Sequence, residues 1–218
     1  MGLAAVLSAA ETADKPHPDW PVIYKDDFET DSTAKYQPTD PKAWKIVQDG
    51  SGKAYSLFGK SQYEPPVRSP RNISLIKDLD ATDFVLDIRM KSTNKEYGHR
   101  DLCLFFGHQD PSHFYYIHIA TKADPHAHSI FLVNDKPRVS IVKDGDRTDG
   151  VKWGDTYHHI RVIRETDTGL IQVYFDDMKK PVMTATDKHF THGRIGMGSF
   201  DDIGNFDDLV IRGKRAKK

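Results

Sequence analysis

The chain is predicted to fold as an all-β, antiparallel β-sandwich of the jelly-roll kind, and three observations predict it. Apolar residues come in short dense blocks such as "DFVLDIRM", "DLCLFFGH" and "GLIQVYF", which suit a thin core between two sheets. Those blocks alternate with period two, and helical periodicity is nearly absent. Between them stand turns rich in Asp, Gly and Pro: "QDGSGK", "HQDPS", "KADPHA", "NDKP", "KDGDRTDG", "ETDTG" and "FDDMKKP". A chain of 218 residues fits one such domain, because sandwiches reach this length without dividing.

From the N-terminus, "MGLAAVLSAA" is small and apolar and is followed by the polar, Pro-containing "ETADKPHPDW". Residues 1–19 therefore read as the remnant of an export signal or a linker, with a cleavage site near Ala10 or Ala13. Strands are expected near 21–29, 43–48 and 53–59, then near 71–77 after the Pro-stiffened connection "QYEPPVRSPRN". In the next strand Phe84, Leu86, Ile88 and Met90 share one face. A strand near 101–108 precedes "HFYYIHIA", where Tyr115, Ile117 and Ile119 oppose Phe114, Tyr116 and His118. Strands near 128–134 and 137–142 follow. "HHIRVIRE" then sets Ile160 and Val162 against His159, Arg161 and Ile163. "GLIQVYFDD" sets Ile171, Val173 and Phe175 against Gln172, Tyr174 and Asp176. Strands near 181–186, 193–199 and 206–212 close the domain, read as residues 20–213, and 214–218 read as a basic, solvated tail.

Composition narrows the function. Thirty-one basic and 32 acidic side chains are interspersed, so no basic footprint for nucleic acid appears. No apolar run reaches membrane-spanning length. The single cysteine, Cys103, excludes an intrachain disulfide and reads as a small buried hydrophobe inside "DLCLFF".

The combination of "YKDDFET", "AWKIVQDGSG", "YEPPVRSP", "YHHIRVIRETDTGLIQVYFDD" and "GRIGMGSFDDIGNFDDLVIRG" resembles the concanavalin A-like lectin/glucanase superfamily. More narrowly, residues 20–213 are similar to the laminin-G-like and 3-keto-disaccharide hydrolase-type domains common in exported bacterial proteins. The resemblance implies a concanavalin A-like jelly roll and an exported domain that binds or acts on an oligo- or polysaccharide. It also implies hydrolysis of a 3-keto-disaccharide type of glycoside as one activity. In the closing pair Gly196 and Gly198 alternate with Ile195 and Met197, leaving a flat strip where a strand or ligand can approach closely.

Three chemistries compete for the polar residues. Hydrolysis needs two carboxyl groups flanking the bond, yet the glutamates at 11, 29, 64, 96 and 165 offer no Glu-x-Asp-x-x-Glu-like strand. A polysaccharide lyase instead needs a base, an acid and a neutraliser for the sugar carboxylate. Tyr116 and His118, two apart on one strand face, are the candidate acid–base pair, with Arg68, Arg71, Arg89 and Arg100 as carboxylate partners. Without catalysis, Phe114, Tyr116 and His118 compose a sugar-binding face, and Arg89, Arg100, Phe114, His128 and Arg138 are the expected substrate contacts. The same aromatics also fit a face packed beneath covering loops, as in a non-catalytic adhesion or scaffold module. A metal held by His126 and His128 with His118 is the weaker reading of the histidines, because "DPHAH" reads as a turn. No cofactor is expected. The exception is a structural calcium at Asp26, Asp27, Asp207 and Asp208, near the two ends of the domain.

Overall fold

The computed structural model describes residues 16–217, so the apolar opening segment and its cleavage site lie outside the described residues. The first strands are β1 (Val22–Asp26), β2 (Tyr36–Pro38), β3 (Trp44–Asp49) and β4 (Gly52–Leu57). Next come β5 (Asn72–Ser92), β6 (Asp101–Asp110), β7 (His113–Ala120), β8 (Ser129–Asn134) and β9 (Val139–Ser140). The chain closes with β10 (His158–Glu165), β11 (Leu170–Phe175), β12 (Met183–Thr186), β13 (Gly193–Ser199) and β14 (Gly204–Arg215). The helical content of the described residues is two single 3-10 turns, Thr33–Lys35 and Pro41–Ala43.

Expected strands near 71–77 and 83–90 are one strand of 21 residues, β5. No Gly or Pro interrupts "KDLDATD", and the alternation continues through it: Leu79 and Ala81 are buried while Asp78 and Asp80 are not. This strand joins the two layers. Its first part pairs with β2 and β13, and its second part pairs with β10 and β14. The first layer therefore runs β2-β5-β13-β6-β7-β8-β9. The second runs β12-β11-β10-β5-β14, with β1 and the β3–β4 hairpin along the far side of β14. Every pairing is antiparallel.

The core between the layers contains the faces that the alternation selects. Leu86, Ile88 and Met90 meet Leu102, Leu104, Phe106, Tyr115, Ile117 and Ile119 there. The flat strip of β13 receives a strand: a Cβ on Gly198 would stand 1.9 Å from the Asn72 carbonyl oxygen of β5. The closing strand extends to Arg215, two residues into the segment read as a tail. Lys214 reaches Asp83 at 3.0 Å, and Arg215 donates to the carbonyls of Asp78 and Ile23. Those contacts hold Lys214 and Arg215 on the sheet.

Candidate functional site

The outer face of the first layer is built by the β6–β7 hairpin. Its turn is set by Asp110, whose Oδ1 accepts from the Ser112 amide at 2.8 Å. Register then places Cys103 opposite His118 and Phe105 opposite Tyr116. Because side chains alternate, Asp101, Cys103 and Phe105 project outward beside Phe114, Tyr116 and His118. That face is a second core. Ile73, Leu75, Cys103, Phe105, Phe114, Tyr116, Phe131 and Val133 are all buried in it, with Val67 packed against them.

The cover is the Pro-stiffened connection and two turns. The Arg138 amide donates to the Arg68 carbonyl at 3.1 Å, and the Arg71 amide to the Phe200 carbonyl at 3.2 Å. Phe200 lies parallel to the His118 ring, with centroids 5.9 Å apart. The Arg138 guanidinium sits 4.3 Å over the Phe200 ring and 5.5 Å from that of Phe131. Outside Phe200 opens a cleft of about 410 Å³, lined by Glu64, Val67, Arg68, Arg71 and Asp201 among others. Arg71 is paired with Glu64 at 3.4 Å. Neither Arg68 nor Arg138 forms an ion pair among the described residues.

Beneath the cover lies a polar cluster. Asp101 Oδ2 accepts from Cys103 Sγ (3.3 Å), Ser199 Oγ (3.1 Å) and the Phe200 amide (3.0 Å), and His118 Nε2 lies 3.4 Å from it. Five atoms here have no hydrogen-bond partner: Asp101 Oδ1, both His118 ring nitrogens, the Tyr116 hydroxyl and Arg138 Nε. Such concentration is unusual, since buried polar groups are almost always satisfied. Burial raises the Asp101 carboxyl, but the His118 imidazole and its hydrogen-bond donors outweigh that and hold it below the ordinary range. Burial, then Asp101, pushes the Cys103 thiol up, and burial pushes the Tyr116 phenol up. Asp202, buried beside Asp101, is raised to about 6, first by burial and then by the Asp101 charge. Asp202 is itself fully engaged, by Asn94, by the Tyr97 hydroxyl (2.7 Å) and by the Asp101 amide (2.8 Å).

The structure thus brings Phe114, Tyr116, His118 and Arg138 together and separates the other expected contacts. Arg89 lies on the second layer, 4.9 Å over Tyr157 and 3.4 Å from Asp208. Arg100 is 2% exposed and spends its guanidinium on Ser92, Glu96 and the Gly154 carbonyl. His128 is buried, takes the Ala120 amide on Nδ1 (3.4 Å) and meets Thr148 Oγ1 through Nε2 (3.0 Å). His126, by contrast, is exposed, so the two do not converge. Of the terminal aspartates, Asp26, Asp27 and Asp208 line one cleft, where Asp26 is engaged by Lys35, Tyr36 and the Phe28 amide, and Asp208 by Arg89. The residues that sequence reasoning missed are Asp101 and Phe200. The signal for Asp101 was available: it stands two residues before Cys103, on the strand that pairs with His118.

No protein-family model matches the chain, and no curated protein matches it by sequence. Solved structures do match. The carbohydrate binding module CBM66 from Bacillus subtilis shares 16% identity at a TM-score of 0.57, over 82% of this chain and 96% of that one. Bacillus licheniformis β-glucanase shares 15% identity at a TM-score of 0.54, over 88% of this chain and 98% of that one. Domain 4 of an extracellular arabinanase from Geobacillus stearothermophilus, solved with arabinotriose, shares 11% identity at a TM-score of 0.50, over 80% and 77%. At these identities the likeness is one of fold: the chain has the concanavalin A-like jelly-roll sandwich. Among the described residues no helix is long and apolar enough to cross a membrane.

Proposed function

We propose that the chain is a saccharide-binding sandwich domain whose ligand is an acidic oligo- or polysaccharide seated on Phe200. One observation carries this reading. Arg68, which forms no ion pair, lines an open cleft together with the half-buried Phe200, and the Arg138 guanidinium, also without an ion pair, stands 4.3 Å over the Phe200 ring. His118 and Arg138 take the two faces of the Phe200 ring, so its edge supplies the apolar contact to a sugar, and a guanidinium fork matches a carboxylate. The fold shared with a carbohydrate binding module and an arabinanase domain supports the same direction. Phe114 and Tyr116 then serve as the packed foundation of the site rather than as its contact surface.

The test is calorimetric titration of oligogalacturonate and oligoalginate against neutral xylo- and gluco-oligosaccharides. Acidic ligands should bind, more weakly as salt rises, and Arg68→Ala, Arg138→Ala and Phe200→Ala should each lose that binding. Equal binding of neutral sugars, or unchanged affinity in all three variants, would contradict the reading.

The orphaned Tyr116 hydroxyl and His118 imidazole favour a second reading, in which the same acidic chain is cleaved by β-elimination with this pair as acid and base. That chemistry requires the Phe200 and Arg138 cover to lift, since Tyr116 is fully buried. Unsaturated products absorbing in the ultraviolet, abolished by Tyr116→Phe, would establish it; bound but intact ligand would leave binding alone.

A further inference from the structure

We propose that Asp101, Cys103 and His118 form a buried binding site for a divalent transition metal of the zinc type. Their ligand atoms converge: one oxygen, one sulfur and one nitrogen lie within 4.8 Å of one another. The measured edges are 3.3 Å from Cys103 Sγ to Asp101 Oδ2 and 3.4 Å from His118 Nε2 to the same oxygen. A tetrahedral ion with bonds of about 2.0–2.3 Å spaces its ligands about 3.3–3.8 Å apart. Two of the three edges therefore already have that spacing, and the third lies within 4.8 Å.

A second observation is independent of that convergence. His118 is 4% exposed, its Nδ1 has no hydrogen-bond partner, and its Nε2 faces Asp101 Oδ2 at 3.4 Å. Asp101 likewise holds one oxygen without a partner. A metal gives the imidazole lone pair an acceptor that the protein does not.

Charge also balances. A dication with one carboxylate, one thiolate and a neutral imidazole leaves zero net charge in a buried place, which burial of charge demands. Binding exchanges the S–H bond of Cys103 for a sulfur–metal bond, and the proton goes to solvent. Ser199 Oγ and the Phe200 amide hold the Asp101 carboxylate in place (3.1 and 3.0 Å), the outer support that metal ligands ordinarily have.

Donor chemistry selects the ion. Asp101 also belongs to an all-oxygen group with Asp201 and Asp202, the kind that suits calcium or magnesium. Asp202, however, is committed to Asn94, Tyr97 and the Asp101 amide. The unspent donors lie on the sulfur–nitrogen side, where zinc and its neighbours are preferred. Exposed Asp201 marks the side from which an ion would enter.

The test uses the full chain, stripped with chelator and free of saccharide, titrated with Zn²⁺ by calorimetry and with Co²⁺ by absorption. One equivalent should bind, release protons, and show with Co²⁺ a thiolate-to-metal charge-transfer band with the intense visible bands of tetrahedral coordination. Cys103→Ser should lose the charge-transfer band, and His118→Gln should lose the tetrahedral signature. Near-ultraviolet circular dichroism checks that each variant folds, and either folded variant suffices, because they remove different ligands. No binding, or Co²⁺ binding without the charge-transfer band, overturns the site; the second outcome would put the ion on Asp201 and Asp202. Since no saccharide is present, failure here and failure of saccharide binding are separate results.

Discussion

Two buried histidines should make the domain lose stability on mild acidification, and His108→Phe should remove about half of that loss. His108 is held near 4 by burial and then by Arg194, and His128 near 4 by burial and then by Arg147. In the unfolded chain both titrate near 6.5. Above that value both states are neutral and the histidines contribute nothing. Between about 6.5 and 4 the unfolded chain binds protons that the folded one refuses, so stability falls as pH falls through this window. At pH 5 the linkage amounts to about 2 kcal/mol per histidine, hence about 4 kcal/mol for the pair. Phenylalanine suits position 108 because the imidazole already stacks on Phe114 with centroids 5.3 Å apart, and its Nδ1 has no partner. The assay is urea unfolding at pH 7.5 and pH 5, followed through the fluorescence of buried Trp153. Equal pH losses in the variant and the parent would refute the assignment of His108 as a buried neutral imidazole.

Gly198→Ala should destabilise the domain by about 1–3 kcal/mol or prevent folding, because its methyl would stand 1.9 Å from the Asn72 carbonyl of β5; chemical denaturation measures it. Arg100→Leu should cost about 1–3 kcal/mol for each acceptor it strands, the Ser92 and Gly154 carbonyls, while leaving saccharide titrations unchanged. Phe131→Ala should cost about 3–5 kcal/mol in thermal or urea unfolding, as a core residue would, because the face it shares with Tyr116 is packed on its outer side too.

The strands and their inner faces were legible in the sequence because period-two alternation reports burial on one face. Alternation carries no information about a cover that arrives from elsewhere. Phe114, Tyr116 and His118 were rightly placed on the outer face, yet whether it meets ligand or protein depends on residues 60–71, which have no period of their own. The single strand β5 was read as two, since a strand that bends between layers looks locally like a pair with a polar connection. Arg89, Arg100 and His128 were drawn to the site by residue type alone. Strand order and loop partners decide such convergence, and neither is written in local pattern. Cys103 was read correctly as buried, and Asp101, two residues before it on the same face, was not read at all.

A face buried on both sides should be apolar throughout, and on β6, β7 and β8 Phe105, Phe114, Phe131 and Val133 keep it so for most of its length. At one end the pattern reverses, and Asp101, His118, Tyr116 and Arg138 place five unpartnered atoms together. Each such atom costs about 1–3 kcal/mol when it stays unsatisfied, in a domain whose whole stability is about 5–15 kcal/mol. An apolar residue in place of Tyr116 or His118 would continue the surrounding core, whereas Asp101 also holds Ser199 Oγ and the Phe200 amide. The concentration of unpartnered atoms beneath Phe200 and Arg138 is where the two proposed sites meet: the metal would take a His118 nitrogen and an Asp101 oxygen, and the acidic saccharide would meet Arg68 and Arg138 above. The two sites share one wall, Phe200, which stacks on His118 below and on Arg138 above. Replacing Phe200 should therefore weaken both, whereas Arg68→Ala should weaken only saccharide binding.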